Sequence, residues 1–189
     1  TEEIFRDFKE GKLKEVYNYL PHPPDTSLIG PARRSILNDD LYYHKGIRMV
    51  DLFQASRGCR FACYPCAASF LGGRRFRARP FDKVAEELDA IDNNRLFVVD
   101  NSLAQDKEWE KELFKLMIPY KKNWCSHTID DDPEILDLAA QAGVRYSLTH
   151  PQVYVGIGVI VYTQPRAAFY RFLEGLVEAG FGKRVMFGS

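Results

Sequence analysis

Three of the four cysteines lie within eight residues, in the segment "SRGCRFACYPCAASF". Cys59, Cys63 and Cys66 are too close together for an ordinary disulfide scaffold, and clustered thiols in a reducing compartment more often bind metal. Gly58 and Pro65 disfavour a continuous helix here, so we expect a loop that can wrap around one centre. Three thiolates can hold a 4Fe–4S cluster whose fourth iron stays open to a substrate or cofactor, as an open zinc site does.

Two other interpretations of this loop do not need an iron–sulfur cluster. Structural zinc sites usually use two CxxC pairs, and the chain has no second pair, so Cys125 or a histidine would have to supply the fourth ligand. A disulfide or simply buried thiols would leave the loop without metal chemistry. We interpret Cys125 itself as a core residue of its strand.

The composition is that of a globular protein, with 46% hydrophobic and 28% charged residues in 189. The chain has 26 basic and 26 acidic residues, so its zero net charge gives no overall attraction to nucleic acid or anionic membranes. No apolar run approaches the roughly 20 residues of a membrane span, and the charged start is not a signal peptide. The few, clustered cysteines suit a reducing compartment, so we predict a cytoplasmic location. Both ends look cut, which suggests a fragment.

The elements that must position the cysteines follow from apolar periodicity and from Gly and Pro punctuation. A Pro-rich linker at 21–37 precedes alternating strands and helices, which indicate right-handed parallel βαβ units. Ligands of such folds gather beyond the carboxyl ends of the strands, where the cysteine loop follows the first strand. Helices are predicted at 1–20, 81–92, 107–118, 131–143 and 165–180, and strands at 47–56, 95–102, 122–129, 152–162 and 184–188.

Capping residues support two of these helices. Asp82 is a possible N-cap of the helix at 81–92. The segment 131–143 has the strongest boundaries, with Asp132 at the N-cap, Pro133 in the first helical position and Gly143 just past the end.

The cysteine spacing after a strand resembles the signature of the radical S-adenosylmethionine (SAM) superfamily. The similarity extends to its cobalamin-associated branch over about residues 1–145, because the cysteine motif, the basic loop and the second-strand motif "RLFVVDNS" come in the family's order. This resemblance implies that Cys59, Cys63 and Cys66 hold a 4Fe–4S cluster whose open iron takes the amino and carboxylate groups of SAM. One electron then cleaves SAM to methionine and a 5′-deoxyadenosyl radical, which abstracts hydrogen from a substrate.

The same resemblance implies positions for the SAM contacts. The family binds the methionine end of SAM at the end of the second strand, where this chain has Asp100, Asn101 and Ser102. Ser126 and His127, at the end of the third strand, are the corresponding ribose or carboxylate contacts.

Two further features flank the last cysteine. The family usually has an aromatic residue near the adenine just before that cysteine, and this chain has Pro65 there, with Tyr64 one place earlier. The run "RRFRAR" at 74–79 could grip phosphates, but similar basic runs follow the cluster loop in the family. We interpret it as a solvated segment or as charge compensation beside an anionic cluster, and we do not expect nucleic-acid binding.

The resemblance changes in the last 40 residues. The segment 150–189 resembles the late portion of a metal-dependent amidohydrolase barrel, but the chain lacks that family's H-x-H metal pair and ends at "FGS", after which a metal-binding Asp commonly follows. The tail is therefore expected to add strand–helix–strand structure without a hydrolase site. Cobalamin is expected only if an upstream cobalamin-binding domain is supplied.

Together these patterns predict an α/β fold, an incomplete parallel (β/α) barrel of about five strands. We divide the chain into a helix and linker at 1–46, a partial radical SAM domain at 47–146 and a β-α-β tail at 147–189 on the same sheet. The expected partners are a small-molecule substrate and an electron donor. The alternatives are a non-catalytic module with a structural metal, or a remnant of an amidohydrolase-like hydrolase. We expect this chain alone to be a poor enzyme.

Overall fold

The computed structural model describes residues 2–19, 21–61, 63–64, 66–144, 155–156, 166–178, 180 and 185–186. The chain forms two compact units, Thr1–Val144 and Arg145–Ser189. Each unit is described by itself.

The N-terminal helix is shorter than predicted. Helix α1 spans Glu2–Lys9 and ends where Gly11 takes a φ of 67°, so the predicted helix over 1–20 is wrong beyond its second turn. The amides of Gly11 and Lys12 bond back to the carbonyls of Phe8 (3.1 Å) and Asp7 (2.8 Å). This left-handed ending satisfies carbonyls that a continuing helix would have used.

The linker contains short 3₁₀ turns at Thr26–Leu28, Arg34–Ile36 and Asp39–Tyr42. A two-residue turn at Lys45 and Gly46, with φ values of 50° and 74°, joins strands β1 (Tyr43–His44) and β2 (Ile47–Arg48) into an antiparallel hairpin. Such turns need positive φ at both positions.

The single strand predicted at 47–56 is instead divided among three sheets. After β2, strand β3 (Asp51–Phe53) joins the main parallel sheet, and β4 (Ser56–Arg57) forms an antiparallel pair with β5 (Arg77–Ala78). Helix α2 (Ala68–Gly72) lies between β4 and β5 in the chain. The cysteine loop is thus enclosed by a hairpin rather than leaving a long strand directly.

The main sheet is parallel, in the order β3-β6-β7. Strands β6 (Arg95–Val98) and β7 (Asn123–Ser126) alternate with helices α3 (Phe81–Asp89), α4 (Lys107–Met117) and α5 (Pro133–Gln141). The predicted α/β alternation is confirmed in this unit, with shorter strands than expected.

The helix boundaries confirm one capping prediction and correct the other. Asp132 caps α5 by accepting from the amide of Glu134 (3.0 Å), and Gly143 follows with a φ of 94°. Asp82 is not the N-cap of α3, because the capping position is held by Pro80 and Asp82 lies in the first turn.

The core of this unit lies between one face of the sheet and the three helices. Leu96 and Val98 of β6 are buried, whereas Phe97 between them is partly exposed, as period-2 alternation requires. The ring of Phe114 on α4 lies 5.2 Å from that of Trp124 on β7. The buried apolar core comprises Phe53, Ala55, Val84, Leu88, Ile91, Leu96, Val98, Leu103, Leu113, Phe114, Met117, Trp124, Ile135, Ala139 and Ala142.

The second unit contains strand β8 (Val155–Gly156), helix α6 (Arg166–Glu178) and strand β9 (Val185–Met186). The two strands pair in parallel with each other. The rest of the strands predicted at 152–162 and 184–188 lies outside the described residues.

The described residues therefore form a mixed α/β structure with a three-stranded parallel sheet and no closed barrel. A five-stranded incomplete barrel, and a tail packed on the same sheet, stay predictions. No helix in the described part of the chain is long and apolar enough to cross a membrane.

Candidate functional site

The cysteine loop begins just beyond the carboxyl edge of the parallel sheet. Strand β3 ends at Phe53, and the chain passes through β4 before reaching Cys59. All the thiols are free, with Cys59 buried and Cys63 and Cys66 exposed. The amide of Cys66 donates to the carbonyl of Cys63 (2.9 Å), which brings these two residues together in a turn.

The start of the loop is held by close backbone packing. The amide of Cys59 donates to the carbonyl of Gly73 (3.1 Å). Gly58 has a φ of 80°, and a Cβ added there would lie 2.1 Å from the carbonyl oxygen of Arg75. Only glycine fits this position, because both the backbone conformation and the space exclude a side chain.

The side chain of Gln105, which no sequence pattern predicted as part of the site, also holds the residues on either side of Cys59. This side chain, 1% exposed, accepts from the amide of Arg60 (2.8 Å) and donates to the carbonyls of Gly58 (3.1 Å) and Ser102 (2.9 Å). One amide thereby joins both residues that flank Cys59 to the segment after β6. A glutamine in a turn carries no sequence signal for such distant partners.

Asp100 lies beyond the end of β6, as expected, and contacts the segment that leads into the loop. Its carboxylate, 1% exposed, accepts from the amide of Ala55 (2.9 Å) and from the hydroxyl of Ser56. Burial raises the pKa of Asp100 to about 6, although these hydrogen bonds lower it. With its oxygens already bonded, this carboxylate is suited to positioning the loop.

Asn101 also reaches the start of the loop, and Ser102 is joined to it through the side chain of Gln105. The side-chain nitrogen of Asn101 lies 3.2 Å from where a Cβ on Gly72 would be, and the same point is 3.6 Å from the Cα of Gly58. Asn101 is exposed, whereas Ser102 is 6% exposed and accepts from the hydroxyl of Thr128 (2.8 Å).

Ser126 and His127 lie one strand further along the same edge. Ser126 ends β7 opposite Val98 of β6, and it is half-buried. The exposed ring of His127 stands edge-on to Phe97, with 5.2 Å between the ring centroids. The structure thus brings Asp100, Asn101 and Ser102 to the cysteine loop and places these two residues after the neighbouring strand.

The structure describes only one of the two residues predicted near the adenine. Tyr64 is 92% exposed, and Pro65 lies outside the described residues. The SAM-binding roles of all seven of these residues stay predictions.

The cysteines have the donor chemistry for a cluster, since three free thiols occupy one short loop. Among the residues that the structure describes, no group of three or more His, Cys, Asp or Glu side chains is arranged to hold a metal ion. The convergence of the three sulfurs that the spacing predicts stays a prediction.

The fold and the loop together define a parallel α/β unit with a thiol-bearing loop beyond the carboxyl edge of its sheet. No family model matches the chain. It is 26% identical over 151 residues to bacteriochlorophyllide d C-12(1)-methyltransferase of Chlorobaculum tepidum, a match that covers 75% of this chain. The match covers 33% of that protein, so the chain spans about a third of the length of this curated relative.

Proposed function

We propose that this chain is the cluster-bearing part of a SAM-dependent radical enzyme that modifies a small organic substrate. The observation that carries the proposal is the set of three free thiols at Cys59, Cys63 and Cys66, beyond the carboxyl edge of a parallel sheet. Ligands of parallel α/β folds gather at that edge.

The distant similarity to a methyltransferase supports a reaction that uses SAM, because SAM is a common donor of methyl groups. The name of the Chlorobaculum tepidum protein describes methyl transfer to a bacteriochlorophyllide, which is a small organic molecule. Since this chain spans about a third of that protein, the complete activity of the longer protein is part of the proposal, as are its substrate and its electron donor.

The proposed roles rest on the resemblance to the radical SAM superfamily, and the positions of these residues at the edge of the sheet support them. Cys59, Cys63 and Cys66 would hold the cluster, which when bound supplies one electron to SAM. Asp100 orients the strand end that leads into the loop through Ala55 and Ser56.

The remaining predicted contacts surround this point. Asn101 is exposed beside Gly72, where its amide can reach a ligand, and Ser126 and His127 offer polar groups one strand away. We propose that these residues, with Ser102, bind the amino, carboxylate and ribose groups of SAM. Tyr64 and Pro65 would lie near the adenine.

Anaerobic reconstitution with iron and sulfide tests the proposal. We expect about four irons and four labile sulfides per chain, with the visible absorption of a 4Fe–4S cluster. Addition of SAM should perturb that spectrum. With dithionite present, the chain should form 5′-deoxyadenosine slowly.

Single cysteine variants provide the matched control. Cys59→Ser, Cys63→Ser and Cys66→Ser should each lose most of the iron, whereas Cys125→Ser, on β7, should keep it. Equal iron in all four variants would contradict the proposal. Zinc bound in place of iron would indicate a structural metal site instead.

A further inference from the structure

A groove of about 420 Å³ lies between the N-terminal segment and the β4–β5 hairpin. Its walls include Tyr17, Tyr19, Pro23, Pro24, Arg57 and Arg77. The hydroxyl of Thr26 donates to the carbonyl of Ala78 on the hairpin (2.6 Å), which holds the segment against it. The groove therefore lies where the linker is hydrogen-bonded to the hairpin that precedes and follows the cysteine loop.

Two arginines face each other directly across the hairpin. Arg57 on β4 pairs in register with Arg77 on β5. Like charges at directly opposite positions of a β-ladder destabilise it. Neither guanidinium forms an ion pair with any carboxylate in the described part of the chain.

Most of the donors on these two side chains remain available. Arg77 donates to the carbonyls of Gly72 (3.0 Å) and Pro24 (3.5 Å), and Arg57 donates to the side chain of Gln54 (3.1 Å). A guanidinium has five N–H donors in a fork that matches a carboxylate. The pair can therefore accept an anion while its neutral contacts stay in place.

Two carboxylates of α1 close to the tyrosines of the groove are already bonded to other groups. The hydroxyl of Tyr17 donates to Asp7 (2.9 Å), and that of Tyr19 donates to Glu3 (2.5 Å), which also pairs with Lys14. These bonds keep the acids of α1 with the tyrosine hydroxyls. The tyrosine rings and the prolines give the groove apolar walls.

We propose that this groove binds a flat, apolar organic molecule that carries a carboxylate, which Arg57 and Arg77 hold between them. The volume falls within the range of about 300 to 1,000 Å³ that is common for small-molecule sites. Because Arg57 is two residues from Cys59, the bound molecule is the substrate of the proposed reaction. Only this last identification rests on the proposed function.

Fluorescence anisotropy with a matched pair of probes tests the site on the full chain without cluster or SAM. We expect 1-pyrenebutyrate to bind about tenfold or more tightly than the neutral 1-pyrenebutanol, because only the carboxylate can bond both arginines. Added salt should weaken the binding of pyrenebutyrate alone. Equal affinities for the two probes would overturn the proposal, whatever the variants do.

The double variant Arg57→Gln/Arg77→Gln should lose about tenfold in pyrenebutyrate affinity and bind pyrenebutanol as before. Arg33→Gln/Arg95→Gln removes the same charge from exposed positions outside the groove and should leave both affinities unchanged. Equal loss in the two double variants would show a nonspecific charge effect and overturn the proposal.

The outcome is separable from that of the proposed function. The triple variant Cys59→Ser/Cys63→Ser/Cys66→Ser should bind pyrenebutyrate with wild-type affinity. Selective probe binding without iron uptake would contradict the proposed function and still support the groove as a binding site. Iron uptake without selective probe binding would contradict only the proposal that the groove binds a carboxylate ligand.

Discussion

The polar residues around Cys59 divide into those that hold the loop and those that remain accessible. Asp100 and Gln105 are almost fully buried, and their bonds go to the backbone and to Ser56. Asn101 and His127 are exposed at the same edge of the sheet. Removing a buried side chain such as Asp100 or Gln105 should lower the free energy of unfolding, because its partners lose their hydrogen bonds and cannot bond to water instead.

Replacement of Gln105 tests this positioning role. Gln105→Leu would leave the amide of Arg60 and the carbonyls of Gly58 and Ser102 without their partner, at a cost of about 2 to 4 kcal/mol in the free energy of unfolding. We expect Cys59 to react about tenfold faster with a maleimide, measured by mass spectrometry of the labelled peptide.

The exposed Gln141→Leu supplies the comparison and should change neither stability nor labelling. Cys63 and Cys66 are already exposed, so their labelling should change little. Unchanged protection of Cys59 in Gln105→Leu would show that Gln105 does not hold the loop.

At the scale of elements, helix α4 is joined to the segment after β7 by a buried acid. Glu110 on α4 is 0% exposed, and one of its oxygens accepts from the amide of Asp130 (3.1 Å). Its other oxygen has no hydrogen-bond partner. Burial raises the pKa of Glu110 to about 7, and the negative charge of Asp130 adds a smaller upward shift. The hydrogen bond from the amide of Asp130 and the positive charge of Lys107 lower this pKa.

This shift predicts the pH dependence of stability. The pKa of Glu110 in the folded protein, about 7, lies above the ordinary value of 4.5. Protonated Glu110 therefore adds to the free energy of unfolding in full below pH 4.5, and this contribution is lost as the pH rises through 7. Glu110→Gln keeps an acceptor and does not titrate. Its stability relative to wild type should therefore rise by about 2 to 3 kcal/mol between pH 4.5 and pH 8.

Urea unfolding at several pH values measures this difference. Glu112→Gln, an exposed change on the same helix, should show no comparable dependence. Parallel stability curves for wild type and Glu110→Gln would mean that Glu110 does not titrate in this range.

At the scale of the whole molecule, the helices of the first unit cover one face of its three-stranded sheet. The side chains of α3, α4 and α5 pack on it, and the buried apolar core of the described residues falls between Phe53 and Ala142. On the opposite face Leu52, Phe97 and Cys125 form a row across the three strands, and Leu52 is 59% exposed. Among the described residues, the buried apolar core of the first unit consists of residues of that unit.

We expect a chain truncated after Val144 to unfold cooperatively in urea, with a near-ultraviolet circular dichroism signal from Trp109 and Trp124. A second truncation, after Asp130, removes α5 with the buried Ile135 and Ala139, and this chain should lose both properties. A gradual transition in the longer chain would contradict the independence of the first unit.

The sequence by itself determined the features that depend on near neighbours. Asp132, Pro133 and Gly143 bound α5 through contacts within one helical turn, and the apolar runs at β6 and β7 form parallel strands between helices. The spacing of Cys59, Cys63 and Cys66 likewise predicted one shared loop. Such patterns can be interpreted locally, because the residues that interact are adjacent or a few positions apart.

Only the tertiary structure decided which distant residues support that loop. Gln105 bonds to Gly58 across 47 positions, and Asp100 bonds to Ala55 across 45. The division of the segment 47–56 among three sheets depends on partners such as Leu96 and Ala78, and the same pairing places Arg57 opposite Arg77. No local pattern specifies these pairs, because strand register and buried hydrogen bonds are set by packing among segments remote in sequence.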